Sequence, residues 1–259
     1  MRHLLLALCL LLPAACRVAP NPPPAEGDAF APAWVRAADS AAVVPYSPAD
    51  SPAVWLLAHL DMETTGLVPG YHEAVDLGVV LTDASGRVLD SLFLRVHPDR
   101  PDRVSAGAVR VNGFSVDRWR ELGALTHGAA ADSLFAFHRR VAGGRPVLLV
   151  AFNSQFDTAF LDHLLRASGH SWRELYHYFV LDIPSMAWAK GYRDLTNASL
   201  AQRLGVADEP RAAEEHTGLS GARLNVRIYQ ALQQATEVDP AAPPPLCEVT
   251  AAPPIGVGG

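Results

Sequence analysis

Asp61-Met62-Glu63-Thr64-Thr65-Gly66 follows directly on the apolar run Trp55-Leu56-Leu57-Ala58-His59-Leu60. The run predicts a buried strand over Trp55 to Asp61, and in a strand residues i and i+2 project to one face. The carboxylates of Asp61 and Glu63 therefore point together at the strand end. A glycine turn beside them leaves room for another molecule. Carboxylate oxygens are what hard cations such as Mg²⁺ and Mn²⁺ take as ligands. The plain alternative is two solvated acids at a strand end. Two more strands are predicted over Ala74 to Thr82 and Val88 to Val96, joined by a turn at Asp83-Ala84-Ser85-Gly86. Downstream, the patterns predict a helix over Ala129 to Val141, a strand over Pro146 to Phe152, a helix over Thr158 to Ser168 and the end of another helix over Val226 to Gln234. Three consecutive strands followed by alternating helices and strands imply an α/β domain on a mixed sheet.

A second chemical signal is Asn153-Ser154-Gln155-Phe156-Asp157, immediately after the apolar strand. Phe160, Leu161, Leu164 and Leu165 follow Asp157 at i+3, i+4, i+7 and i+8, so the helix face that begins with Asp157 turns inward. An acid at the head of a buried stripe either interacts with the helix N-terminus or has a ligand to hold. A third signal is His216, followed by Thr217-Gly218-Leu219-Ser220-Gly221 and an amphipathic run carrying Leu224, Ile228, Ala231 and Leu232. A histidine before a helix can deprotonate water near neutral pH, although most single surface histidines have no such role.

Taken in order, these residues resemble the DEDDh family of 3'-5' exonucleases, which includes the proofreading subunit of bacterial replicative DNA polymerase III and ribonuclease T. The resemblance runs through Asp61-x-Glu63-Thr64-Thr65-Gly66, Asp76-Leu77-Gly78, Val111-Asn112-Gly113-Phe114, Asn153-x-x-Phe156-Asp157, Asp182, the Leu200 to Gly205 segment and His216. It implies a ribonuclease H-like fold, with an antiparallel meander followed by parallel strands. It also implies two Mg²⁺ or Mn²⁺ ions held by Asp61, Glu63 and Asp157, with His216 as general base. Thr64, Thr65, Leu67 and Asn153 match positions that cradle the terminal nucleotide. The expected reaction is release of nucleoside monophosphates from the 3' ends of single-stranded DNA or RNA. The family's last motif places an aspartate five residues after the histidine, and here that position is Gly221. A missing ligand should weaken metal binding or activity by about 10 to 100-fold or more. Asn225, one turn further on, is a neutral amide and a poor substitute. Phe152 stands where relatives often carry histidine, and its plain reading is packing.

The rest of the chain sets the context. A net charge of -6 and a pI near 5.9 supply no global positive field for long polyanions, so a nucleic acid would have to be gripped locally. Cys9, Cys16 and Cys247 all lie outside the expected domain, which excludes a disulfide framework or a cysteine zinc site within it. Residues 1–16 combine an apolar Leu4 to Leu12 stretch with Leu12-Pro13-Ala14-Ala15-Cys16, and read as a signal peptide with a lipobox-like end. A Pro/Ala-rich tether over 17–54, an exonuclease domain over 55–235 and a Pro-rich tail over 236–259 complete the expected organisation. Lipidation at Cys16 would place the chain at a membrane of the cell envelope, and export without it would leave the chain periplasmic; a mis-called start codon would leave it cytoplasmic. Two other functions fit the same residues. One is a degenerate nucleic-acid-binding protein, favoured by Gly221. The other is an envelope metal phosphodiesterase with a non-nucleic substrate.

Overall fold

The computed structural model describes residues 31–40 and 52–236. The expected signal segment, Cys16 and the tail from residue 237 onward lie outside the described residues. Within the segment read as a tether, Ala33–Ser40 forms a helix, α1. It is held to the body by Trp34, whose ring lies 3.8 Å under the Arg166 guanidinium. Among the described residues no helix is long and apolar enough to cross a membrane.

Five strands, β1 (Leu56–Thr64), β2 (Ala74–Asp83), β3 (Val88–Arg95), β4 (Val147–Ala151) and β5 (Val180–Asp182), form one sheet in the order β3-β2-β1-β4-β5. β1 pairs antiparallel with β2, and β2 with β3, whereas β1, β4 and β5 run parallel. This is the mixed ribonuclease H-like sheet expected from the sequence. The turn between β2 and β3 is closed by Asp83, whose carboxylate accepts from the backbone N–H groups of Ser85 and Arg87, both at 3.0 Å. The remaining helices are α2 (Ala106–Asn112), α3 (Val116–Glu121), α4 (His127–Ala142), α5 (Ser154–Arg166), α6 (Ile183–Ala189), α7 (Asn197–Leu204) and α8 (Gly218–Gln234).

The alternation along β1 divides the core. Leu56, Ala58, Leu60 and Met62 pack with Leu134, Phe160 and Leu164 of α4 and α5 on one face. Trp55 and Leu57 pack with Leu224, Ile228 and Leu232 of α8 on the other. Asp61 and Glu63 continue this second, odd-numbered series, so they face the first turns of α8 where the apolar layer ends. Phe152 packs into the same α8 layer.

β1 is also longer than its parallel neighbour. Its pairing with β4 stops at His59–Val150, while its pairing with β2 continues to Thr64–Ala74. Beyond His59, one edge of β1 has no strand partner, and buried polar backbone must find other partners. Asn225 of α8 donates its side-chain N–H to the Leu60 carbonyl at 3.0 Å, and the Met62 N–H is taken by the Asp157 carboxylate. The unpaired edge thus draws an acid from α5 to the end of β1.

Candidate active site

Asp157 reaches β1 because of how the chain leaves β4. Asn153 adopts the left-handed conformation, φ 66° and ψ 56°, and is the single non-glycine residue with positive φ among the described residues. Asparagine tolerates this region better than most residues. The reversal lets Ser154 begin α5 at once, its N–H donating to Asp182 at 2.9 Å, and puts Asp157 in the first turn. Asp182 in turn caps α6 through Ser185 N–H at 3.0 Å. Asn153 itself is exposed, with its side-chain oxygen accepting from Gln155.

α8 is pressed equally hard against the sheet. A Cβ at Gly78 would overlap the backbone of Leu219 and Gly218, and one at Gly218 would lie 2.5 Å from the Asp61 carbonyl oxygen. Two facing glycines therefore let helix and strand backbones touch. Asp76, opposite Glu63 in the β1–β2 register, accepts the Gly218 N–H at 2.9 Å and anchors the helix start. Thr217 caps that start reciprocally with Ser220.

These constraints bring Asp61, Glu63, Asp157 and His216 together, as the sequence implies, and add two acids that sequence reading did not assign to the site. His216 Nε2 lies 3.1 Å from Glu63 Oε1, while Nδ1 lies 3.0 Å from the Pro210 carbonyl oxygen. Asp76 is the first addition. Glu209 is the second: its Oε2 is 3.6 Å from His216 Nδ1 and its Oε1 is 3.3 Å from Arg211. Asp76 was visible only as a family landmark, and Glu209 carried no signal in an irregular acidic loop.

Five carboxylates crowded out of water resist ionising together. Burial, then Asp157, Glu63, Glu209 and Asp76, push the Asp61 carboxyl well above its usual range. Asp157 is pushed the same way, first by burial. Asp76 is raised to about 7 by burial, against the opposing pull of the Gly218 N–H. His216 is held up at about 9, chiefly by its hydrogen bond to Glu63. Such a cluster offers many hard oxygens and excess negative charge, the chemistry a divalent cation takes, although among the described residues no three of its ligand atoms lie within 4.8 Å of one another.

Gly221 faces this cluster directly. A Cβ there would overlap Oδ2 and Cγ of Asp61, so the Asp61 carboxylate occupies the space that a side chain at position 221 would enter. Asn225 is committed to Leu60. Glu209 lies across His216 from Glu63 and pairs with Arg211, so it serves the histidine rather than the position at 221.

The residues matched to a nucleotide cradle divide. A cleft of about 380 Å³ opens beside Glu63, and its walls include Thr64, Leu67, Ala108, Val111, Asn112 and Phe156. Leu67 is 80% exposed at the rim. Thr64 uses its hydroxyl on the Gly66 carbonyl at 2.6 Å, and Asn112 donates to the Thr64 carbonyl at 3.0 Å. Thr65 is fully buried, with its hydroxyl accepting from Glu73 N–H at 3.0 Å, so its side chain shapes the turn from beneath.

No protein-family model and no curated protein matches the sequence. Solved structures do. The nuclease domain of 3'hExo, a DEDDh family member bound to rAMP, superposes with a TM-score of 0.55 at 17% identity, covering 71% of this chain and 94% of that domain. E. coli exonuclease I in complex with a dA16 oligonucleotide gives 0.56 at 14% identity over 70% of this chain. Its zinc-bound complex with single-stranded DNA gives 0.54 at the same identity. The chain spans 40% of the length of exonuclease I. These likenesses establish the exonuclease fold for the described domain.

Proposed function

We propose that this chain is a metal-dependent 3'-5' exonuclease of the DEDDh type, acting on 3' ends of single-stranded DNA or RNA. The observation that carries the reading is the convergence of Asp61, Glu63 and Asp157 with His216 beside an open cleft. The fold is shared with nucleases bound to single-stranded DNA and to rAMP. Asp61, Glu63 and Asp157 would hold two Mg²⁺ or Mn²⁺ ions, which when bound stabilise the attacking and leaving oxygens of a phosphodiester. The remaining work falls to the chain. Leu67, Val111 and Phe156 offer apolar surface to a terminal nucleoside, and Thr64 and Asn112 fix the floor beneath it. His216 is aimed by Pro210 through Nδ1, so Nε2 is the nitrogen available to take a proton from water. While Glu63 holds Nε2 the ring keeps its proton. A cation held by Glu63 would compete for the oxygen that Nε2 now uses, and would so lower the basicity that Glu63 lends the ring.

Gly221 favours a second reading, a protein that binds 3' ends with little turnover. End-labelled oligonucleotides incubated with the full chain and Mg²⁺ or Mn²⁺ separate the two. Laddering from the 3' end that vanishes in Asp61→Ala supports the exonuclease; retention without cleavage in both metals supports the binder; cleavage unchanged by Asp61→Ala refutes the assignment of the site. The address is proposed separately, as a lipid on Cys16, and metabolic labelling with a fatty acid that marks the wild type and spares Cys16→Ser is the result expected.

A further inference from the structure

We infer a second metal site, separate from the acidic cluster at Asp61, formed by Glu73, Asp99 and His127 and suited to Zn²⁺ or a similar transition-metal ion. One ligand atom from each residue lies within 4.8 Å of the others. The three come from different parts of the chain: the residue before β2, the segment after β3 and the first residue of α4. His127 supplies an independent sign that a ligand belongs there. Its side chain is 6% exposed, and neither Nδ1 nor Nε2 has a hydrogen-bond partner. A buried imidazole whose Nε2 has no partner and whose Nδ1 has only a poorly aligned carboxylate beside it is costly unless something binds it. Nδ1 points into the cluster, 3.4 Å from Asp99 Oδ2.

The surroundings are those of a metal ligand set. Glu73 is 5% exposed and is oriented by the Arg100 N–H, which donates to Oε2 at 2.7 Å. Such an outer hydrogen bond to a ligating carboxylate is the usual way of fixing its direction. Asp99 is 74% exposed and closes the set from the solvent side. One imidazole with two carboxylates selects Zn²⁺ and similar ions over Mg²⁺, which prefers oxygen and water.

The position gives the site a consequence. The Glu73 backbone brackets Thr65, through Thr65 N–H to Glu73 O at 2.8 Å, and Ser105 N–H donates to Thr65 O at 2.8 Å. Ser105 caps α2, the helix that forms one wall of the cleft. An ion joining Glu73, Asp99 and His127 would clamp the 97–105 segment and with it that wall.

The test is Zn²⁺ titration of the full chain by calorimetry, with Co²⁺ absorption as a second readout of nitrogen ligation. The double variant Asp61→Asn with Glu63→Gln takes two of the five carboxylates, including both on β1, out of the acidic cluster and is expected to keep one Zn²⁺ site. In that background His127→Gln should abolish the site, and Asp99→Asn, a surface change that leaves the core alone, should weaken it about tenfold or more. Loss of all Zn²⁺ binding in the double variant, or equal binding after Asp99→Asn, would overturn the proposal. Neither result depends on oligonucleotide cleavage, so the exonuclease reading stands or falls separately.

Discussion

At position 221 the absence of a side chain is felt by one particular neighbour, since Asp61 has turned its carboxylate into the space. Gly221→Asp must therefore push two carboxylates together before any cation arrives. The overlapped atoms are the end of a side chain, which can rotate, rather than backbone. In EDTA the variant is expected to melt below the wild type, because two buried acids repel. With Mn²⁺ it is expected to bind about 10 to 100-fold more tightly and to cleave faster, most visibly in Mg²⁺, whose octahedral demands an incomplete site meets poorly. Equal Mn²⁺ affinity in calorimetry would show that the ion is completed elsewhere. Asp76 makes a second residue-scale case. Its carboxyl is raised to about 7, so the fold holds a proton that the unfolded chain releases near 3.8. Stability is then full below 3.8 and is lost as pH rises towards 7, by up to about 1.4 kcal/mol per pH unit. Asp76→Asn keeps an oxygen for the Gly218 N–H and removes the ionisation. In EDTA it should raise the melting temperature at pH 8 and leave it nearly unchanged at pH 4, and an equal shift at both would remove this account of Asp76.

At the scale of elements, the contact between α8 and β2 sets where His216 stands. Gly78→Ala places a methyl group against the Leu219 backbone, which cannot rotate away, so α8 must lift from the sheet. Overpacking of this kind costs about 1 to 3 kcal/mol. The variant should unfold at lower urea and lose cleavage beyond what its residual folded fraction explains, because the Asp76–Gly218 bond that sets the helix start is stretched. Activity that simply tracks the folded fraction would mean that α8 finds its place without this contact. The same contact shows what was legible in the sequence. Asp76-Leu77-Gly78 could be matched as a landmark, but the need for glycine lies in a helix 140 residues away, which no local pattern displays. Strands β1 to β4 and helices α4, α5 and α8 could be read because each buries one stripe or a continuous apolar run. Helices α2, α3, α6 and α7, at six to eight residues, are too short for periodicity to stand out, and each depends on a local cap such as Ser105, Ser115, Asp182 or Thr196. Asp61, Glu63 and Asp157 were legible because strand alternation and helix phase fix their directions, whereas His216 stands on the loop before α8 and was matched only through the family resemblance. Glu209 was not, because its direction comes from an irregular loop and from Arg211.

For the whole molecule, the charge balance decides how a polyanion can be held. The chain carries 21 basic and 27 acidic residues, so a long single strand, the proposed substrate, would meet no broad attractive field and would have to be recognised within the cleft. Among the described residues, none of those lining the cleft is a lysine or arginine. Arg110 is exposed on α2, while Arg103 donates to the Tyr71 carbonyl at 3.3 Å and lies 4.8 Å over that residue's ring. The cleft walls offer Leu67, Val111 and Phe156 instead, surfaces on which a base or sugar can pack. Binding should therefore depend on the last one or two nucleotides and on very few phosphates. Each neutralised phosphate of a single strand contributes about -0.7 to the slope of log K against log salt. For the cleavage-deficient Asp61→Asn variant the slope is expected to be shallower than about -2, equivalent to fewer than about three phosphates. Extending an oligonucleotide from three to twelve residues should tighten binding by no more than about threefold, since the added phosphates would meet no additional cations. Fluorescence anisotropy across about 50 to 200 mM salt measures both quantities. A steep slope, or a twelve-residue strand bound more than about tenfold more tightly than a trinucleotide, would locate a basic track outside the cleft and overturn this account of how the chain grips its substrate.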